Sequence, residues 1–216
     1  LSAPTRFIFH HQTLWLSAAR CIFWEEERAL ILSDLHFGKS GHFRKAGIGI
    51  PQNIFKEDLQ RLFSQVQFFK PKTILIAGDM FHSAENKEVD FFLKWRKDLP
   101  QTDFYLIKGN HDILGSVFYQ KANIRVFENK LTIKDFCFTH DAAGCDDEKF
   151  TFSGHIHPGI KMSGAGNQSI MLACFYFGEK HAVLPAFSAF TGLAKIKPKA
   201  KDHVFALVEN SVIKIQ

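Results

Sequence analysis

An α/β fold is predicted by two features of the chain. Apolar β-like runs alternate with amphipathic helical stretches up to residue 107, and short strands dominate from residue 124 onward. A third feature predicts where the chemistry lies. Five short segments end in residues that bind metal or move protons, and at least four of the five follow an apolar run. They read Asp34-Leu35-His36, Gly78-Asp79, Gly109-Asn110-His111-Asp112, Thr139-His140-Asp141 and Gly154-His155-Ile156-His157. Strands that carry charged ligands where they run out fix a site on stiff supports. Ordinary turn chemistry explains one or two such junctions, since Gly, Asp and Asn favour turns. It does not explain four Asp, one Asn and five His gathered at these ends.

The elements follow in order. Residues 14–24 and 28–33 are expected to form two strands of a hairpin that turns at Glu25, Glu26 and Glu27. After a Gly-rich loop, 38–49, Pro51 opens a helix over about 52–69. Its Phe55, Leu59, Leu62, Phe63 and Val66 recur at helical spacing and are expected to face the sheet. Pro71 ends this helix, and strand 73–77 delivers Asp79. A second helix, about 86–98, carries Val89, Phe92 and Leu93 on one face and closes at Pro100, before strand 103–107. This β-α-β-α-β order predicts neighbouring, mostly parallel strands with helices packed outside. Further strands are expected at 124–127, 131–139, 150–153, 168–177 and 181–187, with a terminal hairpin, 203–208 and 211–215, turning at Glu209-Asn210. They would build a second sheet packed against the first. With no linker and no internal repeat, residues 1–216 are expected to form one domain.

Composition narrows the class. A hydrophobic content of 46%, with 24 Phe, gives ample material for a thick core and excludes a disordered chain. No stretch reaches the roughly 20 apolar residues of a membrane-spanning helix, so no membrane association is expected. The opening LSAPTRFIFHHQTLWL lacks the basic, apolar, small-residue layout of a secretory signal; it also starts without Met, which leaves room for residues upstream. Cys21, Cys137, Cys145 and Cys174 form no Cys-x-x-Cys pair, and three lie in apolar phrases where a thiol acts as a small hydrophobe. A reduced, cytoplasmic setting is expected. The formal charge of +5 suits an anionic substrate or polymer. Basic residues gather at Lys39, His42, Arg44 and Lys45, and again at Lys195, Lys197, Lys199 and Lys201, where a solvated loop is the simpler reading. Arg44 and Lys45 leave the strand that carries Asp34 and His36, so they are candidates for gripping a phosphate or a nucleic-acid backbone. Phe37, Phe43, Phe81, Phe175, Tyr176 and Phe177 are candidate rings for stacking bases, though Phe in an apolar strand is usually core.

Zinc, manganese and iron at catalytic sites take imidazole nitrogen and carboxylate oxygen. Asp34 and His36, two apart, share one face of a strand end. Asp79 stands behind a glycine that lets the backbone come close, and its two oxygens make it the natural bridge between ions. Asn110 offers a neutral carbonyl oxygen, which limits negative charge in a site that must accept an anion. His140, His155 and His157 complete a donor set too large for one ion and suited to two. No Cys takes part, which argues against a structural zinc site.

In this order the five segments resemble the calcineurin-like metallophosphoesterase signature, across residues 34–157. The resemblance implies a four-layer α/β/β/α sandwich of two mixed sheets and a dinuclear centre, with manganese the expected metal and iron or zinc as alternatives. Asp34, His36, Asp79 and His157 resemble ligands of the first ion; Asp79 as bridge, Asn110, His140 and His155 resemble those of the second. His111 resembles the non-ligand histidine that reaches the phosphate as acid and substrate contact, and Asp112 the carboxylate that orients it. Where many members have Gly after the isolated histidine, this chain has Asp141. The phrases LSDLHFGKSGHFRKAGIGIP, AGDMFHS and LPAFSAFTG are further similar to a bacterial subfamily of ligase-associated DNA damage response endonucleases. That likeness implies DNA as a partner and a functional link to a DNA ligase and a helicase. The expected activity is that of a metal-dependent phosphodiesterase or endonuclease, with the dinuclear centre activating water for in-line attack at phosphorus. A small-molecule monoesterase or pyrophosphohydrolase is the alternative, and a catalytically silent metal-bound interaction module is a third reading.

Overall fold

In the computed structural model the described residues are 3–39, 54–82, 87–144, 148–164, 166 and 168–216. A first sheet of 7 strands runs in chain order: β1 (Thr5–Phe9), β2 (Gln12–Ser17), β3 (Cys21–Trp24), β4 (Ala29–Leu32), β5 (Thr73–Ala77), β6 (Asp103–Ile107) and β7 (Ile124–Phe127). β1 to β4 pair antiparallel through tight turns. β4 to β7 pair parallel, so each step needs a crossover. These crossovers hold α1 (Ile54–Phe69), α2 (Lys87–Arg96) and α3 (Ser116–Lys121).

The central parallel strands β4 and β5 are buried on both faces, which is why ALIL and TILIA read as unbroken apolar runs. Alternation divides them. Leu30, Leu32, Ile74, Ile76, Phe104 and Leu106 join the core beneath the helices, while Ile31, Leu75, Ala77 and Ile107 join the core between the sheets.

The second sheet contains β8 (Lys130–Ile133), β9 (Phe136–Thr139), β10 (Phe150–Ser153), β11 (Pro158–Ser163), β12 (Ser169–Phe177), β13 (His181–Val183), β14 (Ala194–Lys195), β15 (His203–Val208) and β16 (Ser211–Lys214). Its main path is β14-β11-β12-β13-β10-β9-β8, with β15 on β12 and β16 on β15. Phe136, Phe138, Phe152, Phe175, Phe177 and Trp24 fill the space between the sheets. The result is the expected α/β sandwich of two mixed sheets, and the three described α-helices all pack on the first. Among the described residues no helix is long and apolar enough to cross a membrane.

Several local expectations need correction. The run 14–24 is two strands, because Arg20 adopts φ 67 and turns the chain where no glycine signals it. The run 131–139 splits in the same way at Lys134, φ 51. Strands β1, β11 and β14 and helix α3 went unforeseen, and β7 extends the first sheet rather than starting the second. Phe63 is 38% exposed and does not face the sheet. The buried arc of α1 is rotated to include Asp58 and Gln65, which find partners in Arg61 and in the Ser17 hydroxyl. Cys137 is disulfide-bonded rather than a free thiol, whereas Cys21 and Cys174 are free and buried. Four of the candidate stacking rings, Phe37, Phe81, Phe175 and Phe177, are at most 1% exposed and belong to the core. Phe43, Arg44, Lys45 and the start of the first helix lie outside the described residues.

Candidate metal centre

The predicted donors converge where the sheets meet, just past the ends of β4, β5, β9 and β10. Backbone hydrogen bonds tie these ends together. Asp34 N donates to Gly78 O at 3.0 Å, His36 N to Asp79 O at 2.9 Å, and Gly154 N to His140 O at 3.1 Å. His155 N donates to Asp34 Oδ2 at 3.1 Å and His111 N to Asp79 Oδ1 at 2.9 Å. Each carboxylate is thus aimed by the backbone of another segment.

The backbone itself is bent toward the centre. Asp34, His36, Asp79, His155 and His157 all adopt positive φ, between 50° and 67°. Non-glycine residues rarely hold this conformation, and where it persists the surroundings over-determine it. Five occurrences among the candidate donors mark the place where geometry has outweighed local preference. The motif glycines follow from the same crowding. A Cβ on Gly78 would lie 2.1 Å from His140 Nδ1, and one on Gly109 would lie 2.3 Å from Asp79 Oδ1. Gly78→Ala, which also meets φ +82, should cost about 2 kcal/mol or more and displace the His140 ring. Thermal unfolding of the metal-free variant measures this, and an unchanged melting temperature would contradict the crowding.

Two donor groups emerge: Asp34, His36 and His157; and Asp34, Asp79 and His140. Asp34 is common to both, and Asp79 belongs to the second. His155 joins through Nδ1, 3.2 Å from His140 Nε2. Asn110 sits exposed between Gly109 and His111. The donor set fits a metal. His36 Nε2 lies 3.5 Å from His157 Nε2, His157 Nε2 3.3 Å from Asp34 Oδ1, and His140 Nε2 3.4 Å from Asp79 Oδ2. Two ligands of one tetrahedral ion with bonds near 2.0–2.2 Å stand roughly 3.3–3.6 Å apart. The tautomers agree. His140 Nδ1 is 3.1 Å from Ala77 O and His157 Nδ1 is 3.3 Å from Gly192 O, so each donates there and, once the ring is neutral, leaves Nε2 to face a metal.

Burial dominates the electrostatics. It lowers His36 to about 3, which keeps that ring neutral. Burial alone would raise Asp79, but the His140 ring and the His111 N–H outweigh it and hold the carboxylate near 2. Burial likewise opposes the charged form of His140, yet the Asp79 carboxylate holds its pKa up to about 9. A metal needs neutral imidazole. Below about 9 His140 carries a proton that must leave on metal uptake, so affinity for this group should climb with pH up to that point. His36 adds no such dependence. Calorimetry at neutral pH in buffers of different ionisation enthalpy should report proton release; none would contradict the pairing.

The expected contact of Asp112 with the His111 ring is replaced by a different use. Asp112, 1% exposed, accepts from Phe81 N through Oδ1 and from Gly109 N through Oδ2, both at 2.9 Å, and so braces the 109–112 turn. The His111 side chain is 46% exposed, with Nε2 3.9 Å from Asp79 Oδ2. His82 packs against it with ring centroids 4.3 Å apart. In the sequence the signal for this contact is a histidine three residues beyond Asp79, within AGDMFHS.

The family model for calcineurin-like phosphoesterases matches residues 27–157. Pseudomonas putida nuclease MPE is similar in structure, with TM-score 0.84 and 25% identity over 98% of this chain and 100% of that one. Yfce, a phosphoesterase from E. coli, aligns over 86% of this chain and 96% of its own at TM-score 0.43 and 13% identity. Vps29 from Entamoeba histolytica, complexed with zinc, aligns over the same shares at TM-score 0.37 and 14% identity. No curated protein matches the chain.

Proposed function

Because the chain belongs to the calcineurin-like phosphoesterase family, we propose that this metal-dependent phosphoesterase is a phosphodiesterase that cuts nucleic acid with two divalent ions. One observation carries the choice of a diester: likeness to a nuclease over essentially the whole of both chains. In this reading Asp34, His36, Asp79 and His157 hold one ion, and Asp79, Asn110, His140 and His155 hold the other, with manganese the preferred metal. When bound, two such ions lower the pKa of a shared water and offset charge on the phosphoryl oxygens. The residues do the rest. Asp79, held ionised with its pKa lowered to about 2, keeps negative charge beside His140 at any physiological pH. The neutral amide of Asn110 adds a donor oxygen without repelling the phosphate. His111, whose ring is half-exposed and packs against His82, is proposed to give a proton to the leaving oxygen. Asp112 keeps His111 in position through the turn rather than through the ring. Arg44 and Lys45 are proposed to contact phosphates beyond the scissile one.

With Mn²⁺, bis-p-nitrophenyl phosphate should be hydrolysed faster than p-nitrophenyl phosphate. A strong monoester preference would move the assignment to a phosphatase. No hydrolysis of either, nor of phosphoanhydride nucleotides, would leave an interaction module.

A further inference from the structure

The stretch that follows β13 belongs to no strand, yet it holds the donor common to both metal groups. Phe187 N donates to Ser33 O at 2.8 Å and Ser188 N to Asp34 O at 3.1 Å, beside a single parallel bridge between Ser33 and Ala186. On its other side Asp34 N donates to Gly78 O at 3.0 Å. The buried Ser33 hydroxyl makes no hydrogen bond, so the backbone carries this attachment. Asp34 itself is fully buried and holds φ 54, a conformation that persists only while its surroundings enforce it. The orientation of Asp34 therefore depends on what fixes residues 186–188.

Two arginines fix them. The three consecutive carbonyls of the stretch are each taken by a guanidinium. Arg20 Nη1 donates to Ala186 O at 3.2 Å and to Ser188 O at 3.1 Å. Arg61 Nη2 donates to Phe187 O and, at 2.7 Å, to Asp58 Oδ1. The Arg61 guanidinium also lies over the Phe187 ring, 4.4 Å from its centroid. Asp58 completes the cluster through hydrogen bonds with the Ser188 side chain and the Ala189 backbone. Arg20 comes from the turn between β2 and β3, and Asp58 and Arg61 from one turn of α1.

Such a cluster is a poor source of stability. Burial and the neighbouring Arg61 both lower the pKa of Arg20, and burial raises that of Asp58 against the pull of Arg61. Well-packed apolar residues of similar volume often serve a fold as well. They could not hold three carbonyls in one orientation. Resting on the reading of Asp34 as a metal ligand, we infer that Arg20 and Arg61 are positioning residues for the metal centre. Through the backbone of residues 186–188 they keep Asp34 in the geometry that takes up the ion.

The test is Mn²⁺ binding to the metal-free protein, followed by the electron paramagnetic resonance of unbound Mn²⁺. Arg20→Met and Arg61→Met keep an unbranched stem and remove the guanidinium. Each should weaken Mn²⁺ binding about 10- to 100-fold, the range for losing groups that orient metal ligands. Arg61→Lys keeps one charged donor for Phe187 O and Asp58 and should recover part of the loss. If Arg61→Met does not fold, Arg20→Met and Arg61→Lys carry the comparison. Gln65→Met supplies the control: it removes the buried hydrogen bond with Ser17 on the same helix without touching residues 186–188. It should leave Mn²⁺ affinity unchanged even where the melting temperature falls. Unchanged affinity in the arginine variants would overturn the inference. So would an equal weakening by Gln65→Met, which would reduce the effect to general loss of stability. The two readings fail separately. If Asp34→Asn binds Mn²⁺ as tightly as the unmodified protein, the reading of Asp34 as a ligand falls and takes this inference with it. If Asp34→Asn loses Mn²⁺ while the arginine variants keep it, this inference alone falls.

Discussion

Asp79→Ala is expected to lower hydrolysis on the order of 10³-fold or more and to deplete bound metal at both groups. Three separate roles converge on this side chain. Oδ2 lies 3.4 Å from His140 Nε2, Oδ1 takes the His111 N–H at 2.9 Å, and the same carboxylate is assigned the bridging position. Replacing a terminal donor such as His155 leaves the Asp79 and Asp34 scaffold standing, so its effect should be smaller. Asp79→Asn keeps the shape and the acceptor to His111 but removes the charge that lifts His140 to about 9. It should therefore lower metal affinity with less disturbance of the fold. Metal content by mass spectrometry, read beside turnover and melting temperature, separates these effects. Retention of both ions by Asp79→Ala would show that the bridge lies elsewhere, with Asp34, common to both donor groups, the next residue to examine.

His111→Ala is expected to keep both ions and lose about 10²- to 10⁴-fold in kcat, the range for removing a general acid. The geometry supports this separation. The His111 ring stands outside both donor groups, half in solvent, while its backbone N–H alone supports Asp79. Truncation to Ala preserves that N–H. The loss should be largest for a poor leaving group such as a nucleoside alkoxide and smaller for nitrophenolate, which needs less protonation. His82→Ala, which removes the ring packed at 4.3 Å, should shift the same profile more weakly. Metal loss in His111→Ala would place His111 among the ligands and end its assignment as acid.

Much of the site was legible because its donors sit at the ends of apolar runs, and such runs announce themselves. TILIA followed by Gly-Asp needs no structure to place Asp79 at a strand end. What stayed hidden depends on contacts far apart in sequence. Arg20 turns the chain at φ 67, a task usually given to glycine, and its guanidinium is fastened to Ala186 O and Ser188 O. Local propensity could not foresee a turn held from 168 residues away. Phe63 fitted the apolar stripe of its helix, but the buried Asp58 and Gln65, each with a long-range or ionic partner, decide which arc faces inward. Asp112 was assigned to a ring beside it in sequence, while its oxygens serve the amides of Gly109 and Phe81.

The central claim is that two ions act together on a phosphodiester. The most direct measurement titrates metal-free protein with Mn²⁺ while following both bound metal and hydrolysis of bis-p-nitrophenyl phosphate. The expected result is uptake approaching two ions per chain, with activity rising only as the second site fills. Full activity at one ion per chain, with no weaker second site at higher Mn²⁺, would contradict it.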